Sequence, residues 1–309
     1  MAVTAPLKTT DFAGYLQPHM AQAFFDEAAK RSVVQQLARK VPLGISGETV
    51  PIVTSKPTAS WVAEAGQKPV TQGEVGLLKM EPKKLAAITV VSAEVVRANP
   101  ANYVNLFKTD IAEAFAQAFD AAVLHGTDSP FAHNLDETKK TVQLGKTPAN
   151  QGGIYGDANL AITKLVENGR KFTGWAFDSA AEPMLNGSYD TTGRPILTEP
   201  VYSDAALASA RLLGRPAYLG DGVATTDRKT VVGYGGDWTK VIWGQVGGIT
   251  YSISTEATVK IGSNMVSLWQ NNLVGILAEA EFGCIINDPE NFVKLTANAP
   301  APGPSGNGS

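Results

Sequence analysis

Between residues 59 and 126 three unlike segments follow one another without a break. The first is a polar run, Ala59-Ser-Trp-Val-Ala-Glu-Ala-Gly-Gln-Lys-Pro-Val-Thr-Gln-Gly-Glu-Val, too long for a tight hairpin turn. An apolar run follows, Lys84-Leu-Ala-Ala-Ile-Thr-Val-Val-Ser, and reads as a strand. One long helix over residues 100–125 completes the series. Structureless loops of this length are uncommon inside compact domains and are usually functional. Tethered to a strand and a rod, this one suits an arm that reaches a neighbour.

The helix has clear local signals. Asn99 is a good N-cap residue and Pro100 follows at the first helical position. Val104, Phe107, Ile111, Phe115 and Ala118 or Phe119 recur at spacings of three and four, which makes one apolar face. Gly126 supplies the stop. About 26 residues at ~1.5 Å each give a rod of roughly 39 Å, long enough for a spine.

Composition narrows the function classes. A chain of 309 residues can bury a substantial core and divides into about two domains. Its net charge of −3 argues against a dedicated nucleic-acid binder, though not against nucleic acid as an enclosed neighbour. A single cysteine, Cys284, leaves no intrachain disulfide framework, and its apolar surroundings (Phe282-Gly-Cys-Ile-Ile) make it a small packed hydrophobe. No apolar run approaches the ~18 residues of a membrane span, and Met1-Ala-Val-Thr-Ala-Pro lacks the regions of a signal peptide. The expectation is a soluble protein made in a cytoplasm.

Elsewhere the pattern alternates. Residues 18–30 form an amphipathic helix with Ala21, Phe24, Phe25 and Ala28 on one face, followed by short extended pieces at 41–47 and 50–54. From Gly156 a helix over 157–169, a strand over 173–178 and a short helix capped by Ser179 follow. Glycine-rich strands are expected at 214–220, 230–238 and 241–249, then one long strand-forming segment over 265–287 and a last strand from Phe292. Residues 299–309 are a flexible Pro/Gly tail.

The residue types that carry chemistry find no constellation. His125 and His133 flank Asp128 and Asp136, but the spacing matches no metal site, and a solvated loop is expected. Gly233-Tyr-Gly-Gly-Asp and Gly152-Gly-Ile-Tyr-Gly-Asp lack the Gly-Lys-Ser/Thr of a phosphate loop. No Gly-x-Ser-x-Gly elbow or His-Glu-x-x-His pair is present. A metabolic α/β enzyme is therefore disfavoured, and neither a metal nor an organic cofactor is expected.

The chain resembles the major capsid proteins of tailed bacteriophages, with the HK-ninety-seven fold. The residues that carry this are Ala59-Ser-Trp-Val-Ala-Glu-Ala-Gly-Gln-Lys-Pro, Lys84-Leu-Ala-Ala-Ile-Thr-Val-Val-Ser-Ala-Glu, and Ala121-Ala-Val-Leu-His-Gly-Thr-Asp-Ser-Pro. Trp175-Ala-Phe-Asp, Leu213-Gly-Arg-Pro-Ala-Tyr, Gly235-Gly-Asp-Trp and Ala280-Glu-Phe-Gly continue in the family's order. The resemblance implies an α+β fold: an N-terminal arm (1–32), an extended β-hairpin loop (55–81), a peripheral domain with the spine helix (33–54, 82–156 and 263–298), an axial domain with a central sheet (157–262) and a flexible tail (299–309).

It also implies a function and partners. The chain would form pentamers and hexamers of an icosahedral shell around double-stranded phage DNA, enclosed without specific binding. Assembly would occur in a bacterial host cytoplasm, with a portal protein and a separate scaffolding protein as partners, the presence of decoration proteins left open, and no membrane. With the family-like body beginning almost at Met1, neither a fused scaffold nor a maturation cleavage is expected. Trp61, Val62, Glu64 and Lys68 are the implied inter-subunit contacts of the extended loop. An encapsulin-type nanocompartment shell is the alternative within the same fold.

Some members of that family weld subunits through a Lys–Asn isopeptide bond assisted by a glutamate. The resemblance places Lys68 at the lysine and Asn264 at the asparagine. A base is needed because a lysine of pKa ~10.4 is almost wholly protonated at neutral pH. Asn271 stands at the glutamate's spacing and cannot take a proton; Glu279 or Glu281 could substitute only if the fold brought one close. Autocatalytic crosslinking is not the expectation, and the shell is expected to hold by contact.

Overall fold

The computed structural model describes residues 32–297, except 56, 63, 65–66, 69, 71–72, 95–99, 190–194, 196, 199–208 and 225–230. The expected helix at 18–30, the Asn99 cap and the tail lie outside these residues, as do the side chains of Val104 and Phe107.

The chain opens with a short helix α1 (Val33–Leu37), a two-residue strand β1 (Arg39–Lys40) and two long strands, β2 (Glu48–Ser55) and β3 (Glu74–Met80). Strand β4 (Lys83–Ser92) leads to the spine helix α2 (Pro100–His125). Next come β5 (Thr141–Leu144), helix α3 (Gly153–Val166), β6 (Gly174–Asp178), helix α4 (Glu182–Asn186), β7 (Leu197–Thr198), β8 (Ser209–Leu212), β9 (Arg215–Gly220) and β10 (Val231–Gly236). The chain closes with β11 (Val241–Ser254), β12 (Thr258–Ile261), β13 (Asn264–Ser267), β14 (Leu273–Ile286) and β15 (Phe292–Ala297).

Two larger sheets and two hairpins result. One sheet has the order β1-β11-β14-β4; the other runs β5-β15-β10-β6-β9-β8-β7. The remaining pairs, β2 with β3 and β12 with β13, belong to no larger sheet. The cuts expected at 157 and 262 do not coincide with these sheets. Strands β5 and β15, from outside that interval, complete the seven-stranded sheet, and β11, from inside it, pairs along β14.

The spine helix has the expected bounds, because its signals are local. Its described inward face, Ile111, Phe115, Phe119 and Val123, is buried with Trp243, Ala278 and Phe282 of the four-stranded sheet, Tyr234 and Phe292 of the other, and Trp238 in the turn between β10 and β11. Phe119 lies 5.3 Å from the Phe282 ring and 6.1 Å from Trp243. Each such fully buried side chain contributes about 1.5–3 kcal/mol over an exposed one. Gly126 ends the helix at φ +67°, where a Cβ would also stand 2.5 Å from Asn134 Nδ2. A second core lies beneath α3, where Ala158, Ala161 and Leu165 meet Trp175, Phe177 and Leu295.

Several local expectations change. The 41–47 segment forms no strand; the chain pairs only at Arg39–Lys40, parallel to Ile242 and Trp243. Helix α3 begins before residue 157, at Gly153. The short turn Ser179–Ala181 is capped by Asp178, whose side chain accepts from Ala180 N, and not by Ser179. The 265–287 segment is two strands, because the chain turns over 268–272 with Asn272 at φ +51°.

Candidate assembly interface

Strands β2 and β3 pair antiparallel from Glu48 opposite Met80 out to Ser55 opposite Glu74, forming a two-stranded stem. The described residues of the polar run between them, up to Gly73, carry no helix or strand, as expected of a loop. The register sets Pro51 opposite Leu77 and Val53 opposite Val75, on one face, because side chains alternate across a strand. Val53, Val75 and Leu77 are 57%, 63% and 69% exposed. A two-stranded hairpin is at best marginally stable alone, and one with a bare apolar stripe calls for a partner surface.

The other face roots the hairpin. Met80 is 1% exposed and seats against Gly244 and Gly283, which stand opposite each other in β11 and β14. A Cβ on Gly283 would come within 2.6 Å of Met80 Cγ; one on Gly244 would come within 2.8 Å of Val41 O and 2.9 Å of Met80 Cε. These strand-interior glycines are a notch for close approach, a signal that was present in the sequence. Beside the root, Glu81 takes Lys79 and Lys83, each at 3.2 Å. That pairing holds the Glu81 carboxyl below its ordinary value, chiefly through hydrogen bonds from Lys83 and then Lys79.

Beyond the hairpin, Trp61, Val62, Glu64 and Lys68 are all exposed, Trp61 fully so. Asn264 opens the second hairpin, opposite Ile261. Asn271 donates its amide to Ser267 O at 2.8 Å, and Glu279 holds Lys84 at 3.2 Å. Within one chain, no hydrogen bond or ion pair among the described residues joins Lys68 to Asn264, Glu279 or Glu281. The second hairpin is also bare, with Ile261, Met265 and the adjoining Trp269 exposed.

His125 departs from the solvated loop expected for it. It ends the spine helix inside a polar hub, its side chain 7% exposed. Nε2 faces the Val223 carbonyl at 3.0 Å and therefore donates; Nδ1 lies 3.1 Å from Asp136 Oδ2 and 3.0 Å from the Tyr234 hydroxyl. Tyr234 donates to Asp136 Oδ1 at 2.9 Å and Lys294 pairs with the same oxygen at 2.7 Å. Burial works to raise the Asp136 pKa, but hydrogen bonds from His125, Lys294 and Tyr234 outweigh it and hold the carboxyl at about 2. Burial, then the Asp136 charge, push the Tyr234 phenol up. His133 matches the expectation: it is exposed and paired with Glu137. Among the described residues no cluster of three or more His, Cys, Asp or Glu could hold a metal, and no helix is long and apolar enough to cross a membrane.

A second polar tie sits where the N-terminal segment meets the spine. Buried Asp120 accepts from Ser32 Oγ (2.6 Å), Val33 N (2.9 Å) and Val34 N (3.3 Å). Burial pushes this carboxyl up to about 7 against the downward pull of those three donors. Cys284 is half-buried, and burial pushes its thiol up to about 12.

A spine helix packed between two sheets, with a two-stranded hairpin that leaves its apolar stripe exposed, is the arrangement the described residues present. The model of the phage capsid family matches residues 13–297. The chain belongs to the phage capsid family. Two relatives carry the name "Probable major capsid protein gp17". The one from Mycobacterium phage D29 is 42% identical, covering 93% of this chain and 91% of the relative. The one from Mycobacterium phage L5 is 43% identical, covering 92% and 90%. A solved structure from Gordonia phage Cozz superposes with a TM-score of 0.66 at 24% identity, covering 87% of each chain. The phage capsid fold, α+β with a spine helix and an extended hairpin, is the one the resemblance implied.

Proposed function

We propose that this chain is the major capsid subunit of a tailed bacteriophage, assembling into the pentamers and hexamers of a shell around double-stranded DNA. The observation that carries this reading is the β2–β3 hairpin. In a member of the phage capsid family it projects from the body with an apolar stripe that its own chain leaves bare. Covering that stripe with another copy of the chain buries it, and each copy then both gives and receives a contact. The net charge of −3 suits a container that must release its contents.

In this reading the arm is 1–32 and the extended loop 55–81. The peripheral domain is built on the spine helix and the four-stranded sheet, and the axial domain on the seven-stranded sheet. Trp61, Val62, Glu64 and Lys68 are inter-subunit contacts. Portal and scaffolding proteins are the partners, and the bacterial cytoplasm is the place of assembly. The shell holds without covalent welds, since Asn271 cannot act as a base and is engaged with Ser267. The phage relatives favour packaged DNA over the protein cargo of an encapsulin.

Electron microscopy of the purified chain, alone and co-expressed with neighbouring head genes, tests the reading. Closed particles are expected. A protein that stays monomeric under both conditions overturns it.

A further inference from the structure

A cleft of about 280 Å³ opens beside the root of the hairpin. Leu78, Phe131 and Cys284 are among its apolar walls, Ala132 stands at its side, and Lys79, Glu81 and Lys83 are among its polar lining. That volume lies below the roughly 300–1,000 Å³ of small-molecule sites. It suits one large side chain. We propose that the cleft is the seat for Trp61 of a neighbouring copy of this chain, an inference that rests on the capsid-subunit reading above.

Three observations select this occupant. Trp61 is fully exposed, at 105% of its reference surface. An indole is the side chain most enriched at the energetic centres of protein interfaces. The charges also match. Among the lining residues two lysines, Lys79 and Lys83, stand around one carboxylate, Glu81, while Glu137 is taken up by His133 at the rim. Glu64, exposed three positions after Trp61, supplies the opposite sign. Between exposed groups such a match sets register more than affinity.

The hairpin also favours a contact between copies. From Leu78 at the cleft, β3 runs outward to Glu74, about four residues or ~14 Å, before the segment carrying Trp61 begins. The loop is thus presented at the far end of the stem, where a neighbouring copy can receive it. A tryptophan on one copy and a cleft on the next make a head-to-tail contact, the kind that closes into a ring when the rotation allows.

The test uses a photo-crosslinking benzoylphenylalanine at position 61, in isotope-labelled chains that form a minority among unlabelled wild-type copies in assembled particles. Irradiation is expected to join the labelled residue 61 to unlabelled peptides containing Leu78, Phe131 or Cys284. Products confined to the labelled chain, or products on the second hairpin at Met265 or Trp269, overturn the seat. As a second measurement, Ala132→Trp fills the cleft from an exposed position. It is expected to lower particle yield at least tenfold while the soluble chain keeps the wild-type melting temperature. Wild-type yield from Ala132→Trp overturns the seat and leaves the capsid-subunit reading standing. Absence of particles from the unmodified chain overturns that reading itself.

Discussion

The hydroxyl of Ser32 donates a 2.6 Å hydrogen bond to Asp120, a carboxylate 88 positions away and buried in the spine helix. The same carboxylate receives the N–H groups of Val33 and Val34, so one side chain of the spine caps the first described helix.

This tie gives a pH signature. Burial raises the Asp120 pKa from 3.8 to about 7, so between those values the folded chain binds a proton more tightly than the unfolded chain. Its contribution to stability is full below pH 3.8 and is lost as pH rises to about 7, by no more than ~1.4 kcal/mol per pH unit. Asp120→Asn is expected to flatten that slope in denaturant titrations across the window. Asp120→Ala leaves three donors without an acceptor and is expected to cost about 1–3 kcal/mol or more.

The hub at the C-terminal end of the spine helix, little more than one turn beyond Asp120, has the opposite sign. Asp136 is held at about 2, below its ordinary 3.8, so its contribution is present above pH 3.8 and is lost as pH falls through about 2. The amount is about 2 kcal/mol. Acid denaturation of Asp136→Asn is expected to lose that component, which circular dichroism can follow.

The glycine notch predicts a steric penalty. In Gly244→Ala the added methyl meets backbone at Val41 O, 2.8 Å away, and is expected to destabilise the chain by about 1–3 kcal/mol. Met80→Ala empties the notch and is expected to cost about 2–5 kcal/mol. Equal melting temperatures for Gly244→Ala and wild type would show that the root is looser than drawn.

Exposed stripe residues should separate folding from assembly. Val75→Lys with Leu77→Lys is expected to leave the melting temperature within about a degree or two, since surface changes stay within ~0.5 kcal/mol. Particle yield by sedimentation is expected to collapse.

Denaturing electrophoresis of mature particles is expected to give one monomer band. Lys68 and Asn264 have no carboxylate bonded to them among the described residues, and Asn271 is committed to Ser267. A ladder of linked chains would place a base from another copy at that site.

The sequence was most legible where the determinants are neighbours. Pro100, the Ile111–Phe115–Phe119 spacing and Gly126 delimit the spine helix without help from the rest of the chain. The hairpin was recognised as a reaching arm, but its register was not, because Glu48 and Met80 pair across the arm's whole length. His125 was misread for the same reason: its partners Val223 and Tyr234 lie 98 and 109 positions away, and only tertiary packing brings them to its ring. The strand glycines, Gly244 and Gly283, were visible all along. What they admit, the Met80 side chain, arrives from a distant strand.

The notch does more than hold one methionine. By clamping the hairpin's base against the central strands, it turns a flexible projection into a strut of set length and direction. In the proposed shell the spacing between adjacent subunits would then be set by geometry inside each one, and a single methyl group added deep in the sheet would be felt at the hairpin's outer end.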